Sequence, residues 1–359
     1  MSHKFSSILR HTTHVTTIIF ISGFIFDMIV LPDISHAITR YIGLGHITVV
    51  AVLIVFREWL VSRNRATMFE QRVYSFASFW IAFSSGAALS FLSVYSIRSA
   101  EFSVSWPLFI LLFICIVINE VVTSHSFRFN LDVGVLITAV LFFVIFNVPI
   151  LVKVQNDSIF LLSVAVAFLI SFIYLYFLKF SSETARNESH RSYALAIGIP
   201  MFVVMLYFLN VIPAVPLSLK DSGVYHKIVR TSDGEYIGDR EIDTKNLSFF
   251  RKPTYHLSSI DTGVYFFSAV NYEGEITAPL SHVWEKYDET KHMWVMYDKP
   301  ISFTLESGRR DGYRAYSVKQ NISEGLWRVT VKVDSKRVVG RQKFWVVYDS
   351  PKPLEEVKL

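Results

Sequence analysis

Residues 193–217 read Tyr193-Ala-Leu-Ala-Ile-Gly-Ile-Pro-Met-Phe-Val-Val-Met-Leu-Tyr-Phe-Leu-Asn-Val-Ile-Pro-Ala-Val-Pro-Leu217. The stretch from Tyr193 to Ile212 carries no charge and has the length, ~20 helical residues, that crosses a hydrocarbon core. Pro213 and Pro216 then follow. Each lacks an amide donor and fixes φ, so a helix cannot run on and the chain leaves it extended. The segment therefore divides the protein. Residues 1–216 form a string of apolar runs, and residues 217–359 read as a polar, aromatic region large enough to bury a core of its own.

Upstream, six more segments have the same character: Val15 to Leu31, Leu44 to Leu60, Ser75 to Ile97, Val104 to Ser124, Leu131 to Leu151 and Ile159 to Leu178. In lipid only helices and closed barrels satisfy their own backbone groups, and these runs lack the alternation of barrel strands. The expectation is a transmembrane α-helical bundle of about seven helices. The first run is read as a membrane helix and not a signal peptide. Lys4 and Arg10 precede it and Ser35-His36-Ala37 resembles a cleavage site, but the run outlasts a typical h-region and contains Asp27.

Sidedness follows from the basic residues of alternate loops. Lys4, Arg10, Arg57, Arg63, Arg65, Arg72, Arg128, Lys179, Arg186 and Arg191 fall on one side, against Arg40, Arg98 and Lys153 on the other. Basic loops stay in the cytoplasm, so the N-terminus is expected inside, and an odd number of crossings exports residues 217–359. In a bacterium this means an inner-membrane protein with a periplasmic domain. Tyr41, Trp59, Tyr74, Trp106 and Tyr193 lie near segment ends, where interfacial rings belong.

Downstream, Leu326 to Val333 alternates: Trp327, Val329, Val331 and Val333 share one face, with Arg328, Thr330 and Lys332 on the other. This is a half-buried strand. Further strands are expected at Val264–Val270, His282–Tyr287, Met293–Tyr297, Ile301–Leu305, Gly312–Lys319 and Val338–Val347, between Gly, Asp, Pro and Ser. Many short strands at close spacing predict an all-β domain, an antiparallel immunoglobulin-like sandwich.

The overall composition agrees, with 52% hydrophobic residues and a mean hydropathy of +0.39. Lys plus Arg number 13 against 10 acids before residue 217 and 22 against 20 after it, so neither half is strongly basic and no stripe suits nucleic acid. The single cysteine, Cys115, lies in an apolar run, which leaves residues 217–359 to stand without a disulfide.

Three stretches resemble a known group: Ile212 to His226, Gly308 to Lys319, and Gly325 to Val331 followed by Gly340 and Phe344. They are similar to bacterial multi-pass membrane proteins whose terminal module is catalogued as domain of unknown function 2914. The resemblance covers the last ~140 residues specifically and the helical part only by architecture. It implies a bacterial, membrane-embedded protein with a soluble terminal module, and no catalytic residues to carry over.

Motifs that would announce an enzyme are missing: no phosphate-cradling Gly-x-x-x-x-Gly-Lys run, no Gly-x-Ser-x-Gly elbow and no His-Glu-x-x-His helix. His226, His256, His282 and His292 lack metal-ligand spacing, and neither cofactor nor metal is expected. Polar groups within the bundle are Asp27, Arg57, Asn119 and Glu120, with Glu120 a plausible partner for Arg57. They read either as an ion pathway or as interhelical glue. Ser84, Gly86, Ala88 and Ser90 offer a small-residue face for close helix packing. Arg309, Arg310, Tyr313 and Arg314 cluster near a turn, as a site for phosphate, carboxylate or lipid headgroups, or as solvated charges. Trp284, Trp294 and Trp327 could line a carbohydrate platform, though alternation places Trp327 in the core.

Two functions fit. The first is a non-enzymatic anchor presenting a periplasmic module that binds a ligand, membrane lipid, envelope protein or glycan. The second is a transporter or intramembrane enzyme using Asp27 and Glu120.

Overall fold

The computed structural model describes residues 3–30, 37–63, 67–99, 125–154, 156–209, 218–242, 253–257, 263–271, 279–303, 313–333, 337–349 and 352–359. These divide into two compact units, helices followed by strands.

The helices are α1 His3–Val30, α2 Ala37–Ser62, α3 Met68–Ser99, α4 His125–Val152, α5 Asp157–Leu178, α6 Glu183–Asn187 and α7 Ser189–Phe208. Local chemistry sets several starts. The Thr67 hydroxyl accepts from the Glu70 amide while the Glu70 carboxylate accepts from the Thr67 amide, a capping box for α3. Asn156 and Ser182 cap α5 and α6 by accepting from Ile159 and Ala185.

Among the described residues four helices, α2, α4, α5 and α7, are long and apolar enough to cross a membrane, and α1 contributes a shorter apolar stretch, Val15–Asp27. The expected segment Val104 to Ser124 lies outside the described residues. In α4 a run of large side chains including Phe129, Val133, Leu136, Leu141 and Ile145 is buried, and the helix packs against α2, α5 and α7. By contrast α5 buries one stripe, Phe160, Ser163, Ala167, Ser171, Leu175 and Leu178, and exposes Leu161, Leu162, Leu169, Ile170 and Ile173. A helix in water would place polar residues on that outer face, and an apolar face of this length is compatible with a hydrocarbon surrounding.

The small-residue face of α3 meets α1. A Cβ at Gly86 would run into the Phe20 carbonyl oxygen, and one at Gly23 into that of Phe83. Only hydrogen at these positions lets the two backbones approach so closely. Tyr74, expected at an interface, is instead 1% exposed inside the bundle, whereas Tyr41 and Trp59 are exposed.

The strands are β1 Ser218–Tyr225, β2 Lys227–Arg230, β3 Tyr236–Glu241, β4 Thr254–Leu257, β5 Val264–Asn271, β6 Leu280–Asp288, β7 Met293–Met296, β8 Ile301–Phe303, β9 Tyr313–Lys319, β10 Gly325–Val333, β11 Arg337–Tyr348 and β12 Leu354–Lys358. They make three sheets: β1-β5-β9, β4-β11-β10-β6-β7 with β8 also on β6, and β12-β3-β2. Among the described residues all pairs are antiparallel except β4 with β11, which corrects the expectation of a wholly antiparallel fold.

β5 is the middle. Val264, Phe266 and Val270 join the core formed with Trp284, Trp327, Val329, Val331, Phe344 and Val346 of the larger sheet. Phe267 and Ala269 point the opposite way, onto Ile228 and Tyr236 of the smallest sheet. With both faces covered, β5 carries apolar side chains on both and does not alternate, Ser268 being its one buried polar residue among those described.

One polar chain crosses the main core. Trp284 Nε1 donates to Ser317 Oγ (3.1 Å), while His282 lies 2.9 Å from Ser317 Oγ through Nδ1 and 2.8 Å from Ser268 Oγ through Nε2. Burial pushes the His282 imidazole down to about 3, so it is neutral at ordinary pH.

Two outcomes follow from this packing. Gly86→Ala should lower the melting temperature in detergent, by the equivalent of about 1–3 kcal/mol of overpacking, while Gly45→Ala, where a Cβ would meet nothing, should not. Unchanged melting of Gly86→Ala would refute the close α1–α3 approach. For His282, the folded value lies below that of the unfolded chain. Stability should therefore be complete above pH 6.5 and fall as the pH drops towards 3, because only the unfolded chain takes up the proton. The loss by pH 5 is about 2 kcal/mol, measurable by denaturant unfolding, and His282→Gln should remove that slope.

Candidate functional site

The outer face of the larger sheet follows from the register. Trp327 and its alternate partners point to the core, so Leu326 and Arg328 point out. Trp294 of β7 lies opposite Tyr287 of β6, and Leu326 of β10 opposite Trp345 of β11. Tyr287 is one position beyond the Lys286 and Trp327 pair, which aligns it with Leu326. Trp294, Tyr287, Leu326 and Trp345 thus form one apolar row across four strands. At ~4.8 Å per strand the row runs about 14 Å. None of the four is buried, and Trp345 is 38% exposed.

The next row opens on the apolar Met296 and continues with the charged Glu285, Arg328 and Lys343, which lie opposite one another in turn. Arg328 donates to both Glu285 oxygens (2.8 and 2.6 Å), and the Thr330 hydroxyl donates to Glu285 Oε2 (2.7 Å). Burial raises the cost of the Glu285 charge, but these donors outweigh it and hold the carboxyl below the usual carboxylate range. The Arg328 guanidinium also stacks on Trp294 at 4.3 Å, and Trp294 meets Tyr287 edge-on at 5.3 Å. A forked ion pair held on aromatic rings is rigid, electrically compensated and rich in directional hydrogen-bonding atoms.

The residues anticipated as a ligand turn are placed differently from one another. Arg309 and Arg310 lie outside the described residues. Tyr313 and Arg314 open strand β9, where Tyr313 packs against the main core and Arg314 lies opposite Ala269. Of the tryptophans, Trp284 and Trp327 are core residues, so Trp294 alone reaches the outer row, joined by Tyr287 and Trp345. No spacing rule brings those three together, because they lie on strands separated by turns of unequal length.

The bundle gathers its own polar groups. Arg57 of α2 donates to Asp132 of α4 (2.6 Å) and lies 3.7 Å from Glu58. Glu58 accepts from Ser182 (3.0 Å) and stands 3.4 Å from His125, while Arg128 donates to Thr16 (2.5 Å). The cluster ties α1, α2, α4 and the segment before α6 together. The partner found for Arg57 is Asp132; Asn119 and Glu120 lie outside the described residues. Asp27 is buried where three helices meet, with the Ser90 hydroxyl donating to it (3.5 Å) and His46 3.7 Å away.

A third cluster was not legible from spacing. Glu241 accepts from His226 Nε2 (3.1 Å) and from His256 through both Nδ1 (2.6 Å) and the backbone amide (2.6 Å). Burial alone would raise Glu241, yet these bonds hold it at about 2. Both carboxylate oxygens are engaged, and among the described residues no group of three His, Cys, Asp or Glu is arranged for a metal ion.

No curated protein and no solved structure matches this chain. Residues 278–346, which run from the approach to β6 into β11 and carry the whole aromatic row and its ion pair, match the family described as Protein of unknown function (DUF2914).

Proposed function

We propose that this is a non-enzymatic, multi-pass inner-membrane protein whose helical bundle, of seven crossings, anchors an immunoglobulin-like β module in the periplasm, and that the module binds envelope glycan. The observation that carries this reading is the row Trp294, Tyr287, Leu326 and Trp345 beside the compensated Glu285–Arg328 pair. Sugars present apolar C–H faces and a rim of hydroxyls. Aromatic rings take the first, and a fixed carboxylate and guanidinium accept from and donate to the second. Because the pair cancels its own charge, the surface suits a neutral polyhydroxyl ligand better than phosphate. The excess of basic residues in one set of loops supports an exported module.

A second reading, transport or catalysis within the membrane, draws on Asp27, a buried acid whose Oδ1 makes no hydrogen bond among the described residues. It predicts that Asp27→Asn abolishes a cellular phenotype while leaving expression intact; an unchanged phenotype removes it.

The test of the first reading uses the full chain in nanodiscs, titrated with soluble envelope-glycan fragments by calorimetry. Saturable binding is expected, with Trp345→Ala and Arg328→Ala each weakening it at least about tenfold, a loss of roughly 1.4 kcal/mol. Absence of saturable binding, or binding indifferent to both changes, would overturn it. A phosphatase reporter after Leu359 should be active, and a fluorescent-protein reporter dark.

A further inference from the structure

The β6–β7 hairpin carries an apolar edge with a different chemistry from the row beside it. In β7 the exposed fractions are 52% for Met293, 40% for Val295 and 53% for Met296, with Trp294 between them. Strand alternation puts Met293 and Val295 on one face and Trp294 and Met296 on the other, so both faces of this strand are apolar. Among the described residues β7 is also an edge of its sheet. Soluble proteins normally blunt such an edge with charge. Here the charges sit beside it: Lys291 precedes the strand and Lys299 follows it.

The hairpin is built to hold its shape. Asp288 Oδ1 accepts from the Thr290 amide (2.9 Å), the Thr290 hydroxyl (2.5 Å) and the Lys291 amide (3.1 Å). His292 closes the turn at φ 51°, a left-handed conformation that non-glycine residues adopt only when their surroundings enforce it. At the base, the Tyr297 amide donates to the Trp284 carbonyl (2.9 Å), and its ring meets Trp327 edge-on at 4.8 Å.

We propose that this hairpin docks into the membrane that holds the chain's own helices, with Met293, Val295 and Met296 at the boundary between headgroups and acyl chains. Three observations select lipid as the occupant. Trp, Met and Val flanked by lysines is interfacial chemistry, since an aromatic ring and long aliphatic stems suit a layer that is apolar below and wet above. Apolar side chains on both faces suit a medium that surrounds the strand, whereas a docked peptide or second copy would cover one face or one edge. The tether is short. Nine residues separate Phe208, the end of α7, from Ser218, the start of β1. They reach at most about 35 Å, so docking is an intramolecular event that needs little intrinsic affinity. The inference rests on the membrane-anchored part of the proposed function; Trp294 belongs both to this hairpin and to the row proposed for glycan, so the docking residues chosen for the test are Val295 and Met296.

The experiment uses the full chain, with Cys115→Ser as background, in nanodiscs of zwitterionic phosphatidylcholine. A spin label is placed through Val295→Cys, or through Val229→Cys in β2, where the side chain is 47% exposed. The ratio of collision rates with oxygen, which dissolves in lipid, and with a water-soluble nickel chelate reports depth. We expect that ratio to be at least threefold higher at position 295 than at 229. Equal ratios would overturn docking, and a label at 295 shielded from both agents would overturn lipid in favour of a protein partner. Met296→Cys, on the opposite face, should repeat the result at 295. Should either variant misfold, hydrogen exchange of the unmodified chain decides: slower exchange at 293–297 in nanodiscs than in bilayer-free amphipol supports docking, and equal exchange overturns it. Failure of the chain to enter nanodiscs would refute the membrane-anchored reading itself, whereas failure to bind glycan would leave the depth ratio untouched.

Discussion

The β unit depends on one strand buried from both sides. Phe266 and Phe267 are neighbours in sequence, both fully excluded from solvent, and they face opposite layers. A strand with one wet face can shift register at the cost of half its side chains, but a shift in β5 would misplace both sets at once. Because β5 is pinned, its partners β1 and β9 are pinned with it, and the larger sheet inherits a fixed face on which to pack. The chain of Ser268, His282, Ser317 and Trp284 reinforces this, since a buried network is satisfied only when β5, β6 and β9 are in one alignment.

This packing is what frees the outer surface of the larger sheet. With Trp284, Trp327 and Phe344 filling the core, the alternate positions near Tyr287 carry rings and a forked ion pair, whereas Val283 and Thr330 farther along the same face are buried. The bundle follows the opposite logic. Its outside is apolar and its scarce charges are drawn inward, where Arg57 and Asp132 compensate one another and the small residues of α3 admit α1. In both units the position of each polar group is set by which side of the element meets its solvent.

Much of this was legible in particular residues. The uncharged run ending at Pro213 marks the change from helices to strands, and the alternation of Trp327, Val329, Val331 and Val333 names a strand and its buried face. The small side chains around Gly86 announce a close helix contact. The smallest sheet was missed because its strands are short and polar, as in Lys227–Arg230 and Leu354–Lys358, so neither length nor alternation distinguishes them from loops. The parallel pairing of β4 with β11 is equally invisible, since nothing in four residues encodes the direction of a distant partner.

Sequence alone determined the elements whose signal is local: apolar runs of spanning length, the proline-marked exit, and the strands with a period of two. Tertiary structure decided which distant residues meet. Arg57 takes Asp132, His226 and His256 share Glu241, and Trp294, Tyr287 and Trp345 fall into one row. The physical reason is that helix and strand periodicity depend on neighbours within a few positions, whereas register across a sheet and contact between helices depend on how whole elements pack. A one-residue slip would leave every local pattern intact and dissolve the row.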